Sequence, residues 1–149
     1  MATVRRGTEG DLPAIRRIQT AALAEPWPAL LDLAAGDGGP RLRVVETGTE
    51  TSPTHQPVGY VVAVTAGHPE AYVPELAILP DRQGEGLGST LLSSLLAELA
   101  DDGFERVRLT ARAEDERARS FYEDHGFELV DRVADHFEDG DGVVLEHRF

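Results

Sequence analysis

Glu75-Leu-Ala-Ile-Leu-Pro-Asp-Arg-Gln-Gly-Glu-Gly-Leu-Gly88 decides how this chain folds. The segment completes an apolar strand, Tyr72 to Leu79, breaks at Pro80, turns through glycines at 84, 86 and 88, and runs into a helix over Gly86 to Asp102. In that helix Leu87, Leu91, Leu92, Leu95, Leu96, Leu99 and Ala100 form one broad apolar face, and Gly103 suits the C-terminal cap. Glycines let a backbone approach a ligand closely, and the first N–H groups of a helix are unpaired and carry partial positive charge. Such a turn binds phosphate, although glycine-rich strand-to-helix turns also exist for geometry alone. Two nucleotide patterns fail on the residues. A P-loop needs a Lys after its last glycine and the chain has none, and a dinucleotide fingerprint needs a glycine where Ser89 stands.

Outward from this turn the punctuation predicts alternating elements. Ala2 to Arg6 reads as a strand, and Thr8-Glu-Gly-Asp11 has the form of a helix start, with Asp11 a second candidate cap because of Pro13. Leu12, Ile15, Ile18 and Ala22 make an amphipathic stripe with Arg16, Arg17 and Gln19 outside it, in a helix ending near Ala24. Pro26-Trp-Pro28 breaks it, leaving Trp27 as an apolar lid or substrate wall, and Ala29 to Ala35 allows a short second helix. Arg41 to Thr47 and Val58 to Ala66 read as a hairpin around a polar loop, Gly48 to Pro57. Pro74 inside the next strand implies a sheet edge or a bulge. Arg106 to Ala111 is a strand, Asp115 to His125 a helix closed by Gly126, and Phe127 to Val133 and Gly142 to His147 two last strands.

The 149 residues, 41% of them hydrophobic, suit one domain that buries roughly 70% of its unfolded surface. We read residues 1–149 as that single domain. No apolar run approaches the roughly 20 residues of a membrane span, and MATVRRGTEGD lacks the core of a signal peptide, so the reading is a cytoplasmic protein without a membrane partner. Zero cysteines exclude disulfides, thiolate metal sites and a cysteine intermediate. All fourteen basic residues are Arg, set against 27 carboxylates, for a net charge of −13. That balance repels nucleic acid. It fits a halophilic surface kept apart and hydrated in concentrated salt, or one that attracts cationic substrates.

Glu75-Leu-Ala-Ile-Leu-Pro-Asp-Arg-Gln-Gly-Glu-Gly-Leu-Gly88, with Val4-Arg-Arg-Gly-Thr-Glu-Gly-Asp-Leu12 before it and Phe121-Tyr-Glu-Asp-His-Gly-Phe127 after it, resembles the GNAT N-acetyltransferase family over nearly the whole chain. Asp135 to Leu145 is similar to the tail of its ribosomal-protein N-terminal acetyltransferase subgroup. The resemblance implies a mixed α/β fold: a strongly bent sheet of six or seven strands, helices on both faces, and strands four and five splayed apart to admit the pantetheine of acetyl-CoA. It further implies backbone contacts to that co-substrate at Leu76, Ala77 and Ile78, and its pyrophosphate on the amides of Gln83, Gly84, Glu85, Gly86, Leu87, Gly88 and Ser89. Asp115 stands where the family often has an Asn on the pantetheine arm, and it also reads as a helix N-cap.

The reaction so implied moves an acetyl group from a thioester to a primary amine, directly within a ternary complex. The amine must lose a proton and the thiolate must gain one. The resemblance sets Tyr122 near the sulfur, and a phenol, protonated at neutral pH, can supply that proton. Its alternative is a core aromatic whose hydroxyl caps a carbonyl. Glu75 can accept a proton through water, or it is a solvent-facing carboxylate or the partner of an Arg; another base, or bulk solvent, stays open. The subgroup's usual acid on strand five falls at Thr110. His55, His68, His125, His136 and His147 have no metal-ligand spacing and receive no role, so no metal is expected. Arg82, Arg117 and Arg119 flank the two motifs and read as solvated faces. The acceptor is a protein N-terminal amine or a small amine, the protein a monomer or homodimer, and the rival reading is a non-catalytic acyl-CoA-binding module.

Overall fold

The computed structural model describes residues 2–23, 26–35, 39–47, 56–137 and 140–149. The expected end of the first helix at Ala24, residues 48–55 of the expected polar loop Gly48 to Pro57, with His55, and residues 138–139 lie outside the described residues. Among these residues seven strands run β1 (Ala2–Arg6), β2 (Arg41–Thr47), β3 (Pro57–Val64), β4 (Glu70–Ile78), β5 (Arg106–Arg112), β6 (Glu128–Phe137) and β7 (Gly140–Arg148). Among the described residues four α-helices are interposed: α1 (Leu12–Ala22), α2 (Pro28–Ala35), α3 (Leu87–Asp101) and α4 (Glu116–Asp124).

The strands form one sheet in the order β1-β2-β3-β4-β5-β7-β6, antiparallel throughout except for β4 and β5. That parallel pair is brief. Glu70, Ala71 and Tyr72 face Arg106, Val107 and Arg108, and beyond them the two strands part. Pro74 explains the break, since it has no N–H to give a neighbour. It does not mark an edge, because β4 is central; it sits in a bulge, where the β3–β4 register slips between Val62 opposite Glu75 and Val64 opposite Tyr72.

Helices cover both faces. Leu87, Leu91, Leu92, Leu95 and Leu99 of α3 pack on Val61, Val73, Val107, Leu109 and Leu145, while Leu96 is half-buried and Ala100 is exposed, so the apolar face is narrower than its leucines suggest. On the other side Ile15 and Ile18 of α1 and Leu30 and Leu31 of α2 pack on Val44, Tyr60, Val62 and Ala77. β3, sandwiched between these layers, is buried along nearly its whole length, which is why its sequence does not alternate. Among the described residues no helix is long and apolar enough to cross a membrane.

Candidate active site

Where β4 leaves β5, a cleft of about 660 Å³ opens between the two strands, the glycine turn and α4. Past Tyr72, the main-chain groups of β4 that point toward β5 have no strand to bond. Backbone amides and carbonyls demand partners, so this edge is a ready-made receptor for an amide-bearing chain. Glu75, Leu76, Ala77 and Ile78 line the cleft from β4, Gln83, Gly84, Gly86, Leu87, Gly88 and Ser89 from the turn, and Asp115 and Tyr122 from the start and body of α4. Of the residues expected to touch the co-substrate or the reacting groups, Glu85 alone does not line it; its carboxylate turns aside to Arg82, 3.0 Å away.

The turn leaves main-chain amides free. Gly86 has φ of +81°, a conformation that side chains resist, and a Cβ added there would meet nothing within 4 Å. The first α3 bond runs from Thr90 N to Gly86 O, which leaves the amides of Leu87, Gly88 and Ser89 without intrahelical acceptors beside the cleft. Gln83 ties the turn to β4 by donating Nε2 to Ile78 O at 3.1 Å. Gly88 has a different use. Its virtual Cβ lies 3.3 Å from Phe121 Cζ, so its small size lets α4 approach α3.

Asp115 caps α4, accepting from Ala118 N at 3.0 Å, and the helix so begun carries Phe121 and Tyr122. Phe121 packs on Gly88, whereas Tyr122 is held edge-on between Phe121 and Phe127, with ring centroids 5.2 and 5.6 Å away. No described residue hydrogen-bonds the Tyr122 hydroxyl, so it caps no carbonyl. Burial, aided by the Asp115 charge, pushes its phenol up to about 12.

Glu75 is neither solvent-facing nor paired with an Arg. It is 7% exposed and points to the α1–α2 side of the sheet. Its Oε1 accepts from Tyr60 OH and Gln19 Nε2, each at 2.8 Å, and Oε2 accepts from Trp27 N at 3.0 Å. Gln19 Nε2 also donates to Trp27 O at 2.9 Å, so both peptide groups of Trp27 are pinned while its side chain projects outward, the residue being 52% exposed. Burial, reinforced by the Glu75 charge, raises the Tyr60 phenol far above the ordinary tyrosine range.

A family model described as the acetyltransferase (GNAT) family matches residues 12–127. The chain belongs to that family. The [ribosomal protein bS18]-alanine N-acetyltransferase of Haemophilus influenzae is 31% identical over 122 residues, covering 81% of this chain and 77% of that protein. The solved ribosomal-protein-S18-alanine N-acetyltransferase of Escherichia coli superposes with a TM-score of 0.85 at 25% identity, covering 99% of this chain and 94% of that one. A GNAT acetyltransferase of Elizabethkingia anophelis with acetyl-CoA bound shares the fold, with a TM-score of 0.82 at 16% identity over 99% of this chain and 98% of that one.

This GNAT acetyltransferase also uses residues that sequence reasoning set aside. Gln19, expected outside the apolar stripe of α1, is 2% exposed and is the hub between Glu75 and Trp27. Its place four residues after Ile15 and one after Ile18 was the available signal. Arg82 and Arg117, read as solvated faces, line the cleft, while Arg119 donates to Ala113 O at 2.9 Å. On β5, Thr110 lines the cleft and accepts from Tyr72 OH at 2.9 Å, so a hydroxyl pair spans the point where the strands begin to part.

Proposed function

We propose that residues 1–149 act as one acetyl-CoA-dependent N-acetyltransferase domain that acetylates the N-terminal amine of a protein by direct transfer in a ternary complex. The observation that carries this reading is the parting of β4 from β5, with the glycine turn at one end of the opening and the Tyr122 hydroxyl along it. Free main-chain groups over Leu76, Ala77 and Ile78 suit the amides of pantetheine. The amides from Gln83 through Ser89 suit the pyrophosphate, Arg82 and Arg117 add positive charge beside it, and Asp115 faces the pantetheine arm. The relatives named for ribosomal-protein alanine acetylation support a peptide acceptor over a free small amine.

The amine approaches from the α1–α2 side, where Glu75 supplies a carboxylate that attracts and orients it. With three donors already on its oxygens, Glu75 keeps its position as the amine arrives. The amine nitrogen bonds to the acyl carbon, gives up one proton to a base or to water, and the carbon–sulfur bond breaks. Tyr122 gives its proton to the departing thiolate and recovers one from water. No cysteine exists to carry the acetyl group in between.

Thiol release from acetyl-CoA, measured with peptides bearing free N-termini, the same peptides blocked, and free small amines, tests this reading. The expected result is turnover on the free peptides alone, with the acetyl group located on the α-nitrogen by mass spectrometry. Turnover confined to small amines would overturn the acceptor class, and acetyl-CoA binding without turnover on any amine would overturn the enzyme.

A further inference from the structure

The last hairpin departs from regular pairing in a way that sets one side chain beside Thr110, which lines the cleft. Val133 opposes Gly142 and Phe137 opposes Gly140, so β6 carries two more residues than β7 between these pairs. The surplus bulges out at Ala134, Asp135 and His136, and Asp135 takes φ of +53°, a left-handed conformation that residues other than glycine rarely adopt. The bulge is held: Asp141 Oδ1 accepts from Asp135 N at 2.9 Å, and Asp141 Oδ2 accepts from Arg132 at 3.1 Å. Bulges of this kind re-aim side chains beside active sites. Here the result is legible at Gly142, where a Cβ would stand 3.1 Å from His136 Cβ, 3.2 Å from His136 Cδ2 and 3.0 Å from Thr110 Cγ2. The absent side chain of Gly142 is thus the space that seats the His136 ring next to Thr110. Phe137, the next residue, packs edge-on to that ring with centroids 4.7 Å apart and lines the cleft.

We propose that His136 is the base that takes the proton from the acceptor amine, directly or through one water held with Thr110; this rests on the acetyltransferase reading above. Thr110, Glu75 and His136 share one face of the sheet, the face of α1 and α2, and Tyr122 lies on the other, so base and acid stand on opposite sides of the opening. Thr110 cannot serve as the base, and the Glu75 carboxylate is already taken up by three donors, two on Oε1 and one on Oε2. His136 is exposed, so it can discharge its proton to solvent after each turnover. Imidazole is the side chain suited to exchange protons near neutral pH. The balance closes: as the C–N bond forms and the C–S bond breaks, the amine proton passes to an imidazole nitrogen and the thiolate takes the Tyr122 proton. The charged and titratable groups around it are Arg132, Asp135, Asp141 and Glu146 of the hairpin, Arg108 and Arg112 of β5, Glu114 just after that strand, and Tyr72 of β4, which donates to Thr110.

His136→Gln and His136→Gly, assayed from pH 6 to 9 on a peptide with a free N-terminus that the wild type acetylates, test the proposal. The expected loss in kcat/KM for the acceptor is about 10²-fold at pH 7 with unchanged acetyl-CoA affinity, shrinking as pH rises and the amine neutralises itself. Added imidazole should restore His136→Gly. Wild-type kcat/KM at every pH in His136→Gln would overturn the proposal, as would a loss that is constant with pH and unmoved by imidazole, which is the mark of packing alone. A wild-type protein that binds acetyl-CoA yet acetylates nothing would instead sink the enzyme reading on which this one rests.

Discussion

Tyr60 on β3 donates its hydroxyl to Glu75 Oε1 on the neighbouring strand β4 at 2.8 Å, and both side chains are out of water. A hydrogen bond to a charged group contributes more than one between neutral groups, and deleting one partner leaves the other short of a donor. Tyr60→Phe should therefore cost about 2 kcal/mol in a denaturant melt at pH 7. The pH dependence has a definite sign. Because the folded state raises the Tyr60 phenol above the ordinary tyrosine value near ~10, its contribution is complete below that pH and is lost as pH climbs toward the raised value. The gap between wild type and Tyr60→Phe should hold from pH 6 to 9 and narrow above ~10. A gap that widened in alkali would contradict the assignment.

The turn glycines separate strain from crowding. Gly86→Ala meets no neighbouring atom but forces a side chain into φ of +81°, so the cost is in the backbone, about 1 kcal/mol. It also narrows the approach to the amides of Leu87, Gly88 and Ser89, and calorimetry should show acetyl-CoA binding weakened by roughly tenfold or more. Gly88→Val acts otherwise: its branched side chain meets Phe121 and should shift α4, damaging packing as well as binding. Undiminished acetyl-CoA affinity in Gly86→Ala would detach the pyrophosphate from this turn.

The strand, turn and helix around Glu75 to Gly88 were legible because their signals are local: glycines where φ turns positive, and leucines at helical spacing. The surroundings of Glu75 were not. Its partners come from 56, 48 and 15 residues away, and periodicity states which face a residue occupies without naming what meets it there. Gln19 has a surface residue's polarity at a position that the helix buries. Tyr60 sat in an apolar run that gave no hint of its hydroxyl's task. The His136 bulge was invisible for a related reason, since two surplus residues opposite Gly140 to Gly142 show only once the strands are paired. Pro74 was the exception, a single residue whose missing N–H foretold the irregularity where β4 and β5 separate.

The acidic surface gives a prediction of its own. Net charge of −13 implies self-repulsion in dilute buffer, and raising salt from 0.1 M to 1 M shortens the screening length from about 10 Å to about 3 Å. Exposed pairs such as Arg132 with Asp141 lose little, because such pairs contribute little to begin with. The melting temperature should rise steadily with KCl into the molar range. A flat or falling curve would return the charge to the attraction of cationic acceptors.

Tyr122 carries the sharpest test of the chemistry. Its ring is fixed by Phe121 and Phe127, so removing the hydroxyl leaves the packing intact. The phenol, raised to about 12 by burial, holds its proton throughout the working range and still lines the cleft. Tyr122→Phe should keep the melting temperature and the acetyl-CoA affinity while kcat falls by roughly 10²-fold, the scale of one positioned acid. The wild-type rate should show no alkaline fall from this group below pH ~10, since the donor form persists there. An acyl donor with a more acidic leaving thiol needs less protonation as its bond breaks, so it should recover much of the rate in Tyr122→Phe and change the wild type far less. If the variant matched wild-type kcat, with single-turnover kinetics showing the chemical step to be slow, Tyr122 would be a packing residue and the thiolate would take its proton from water.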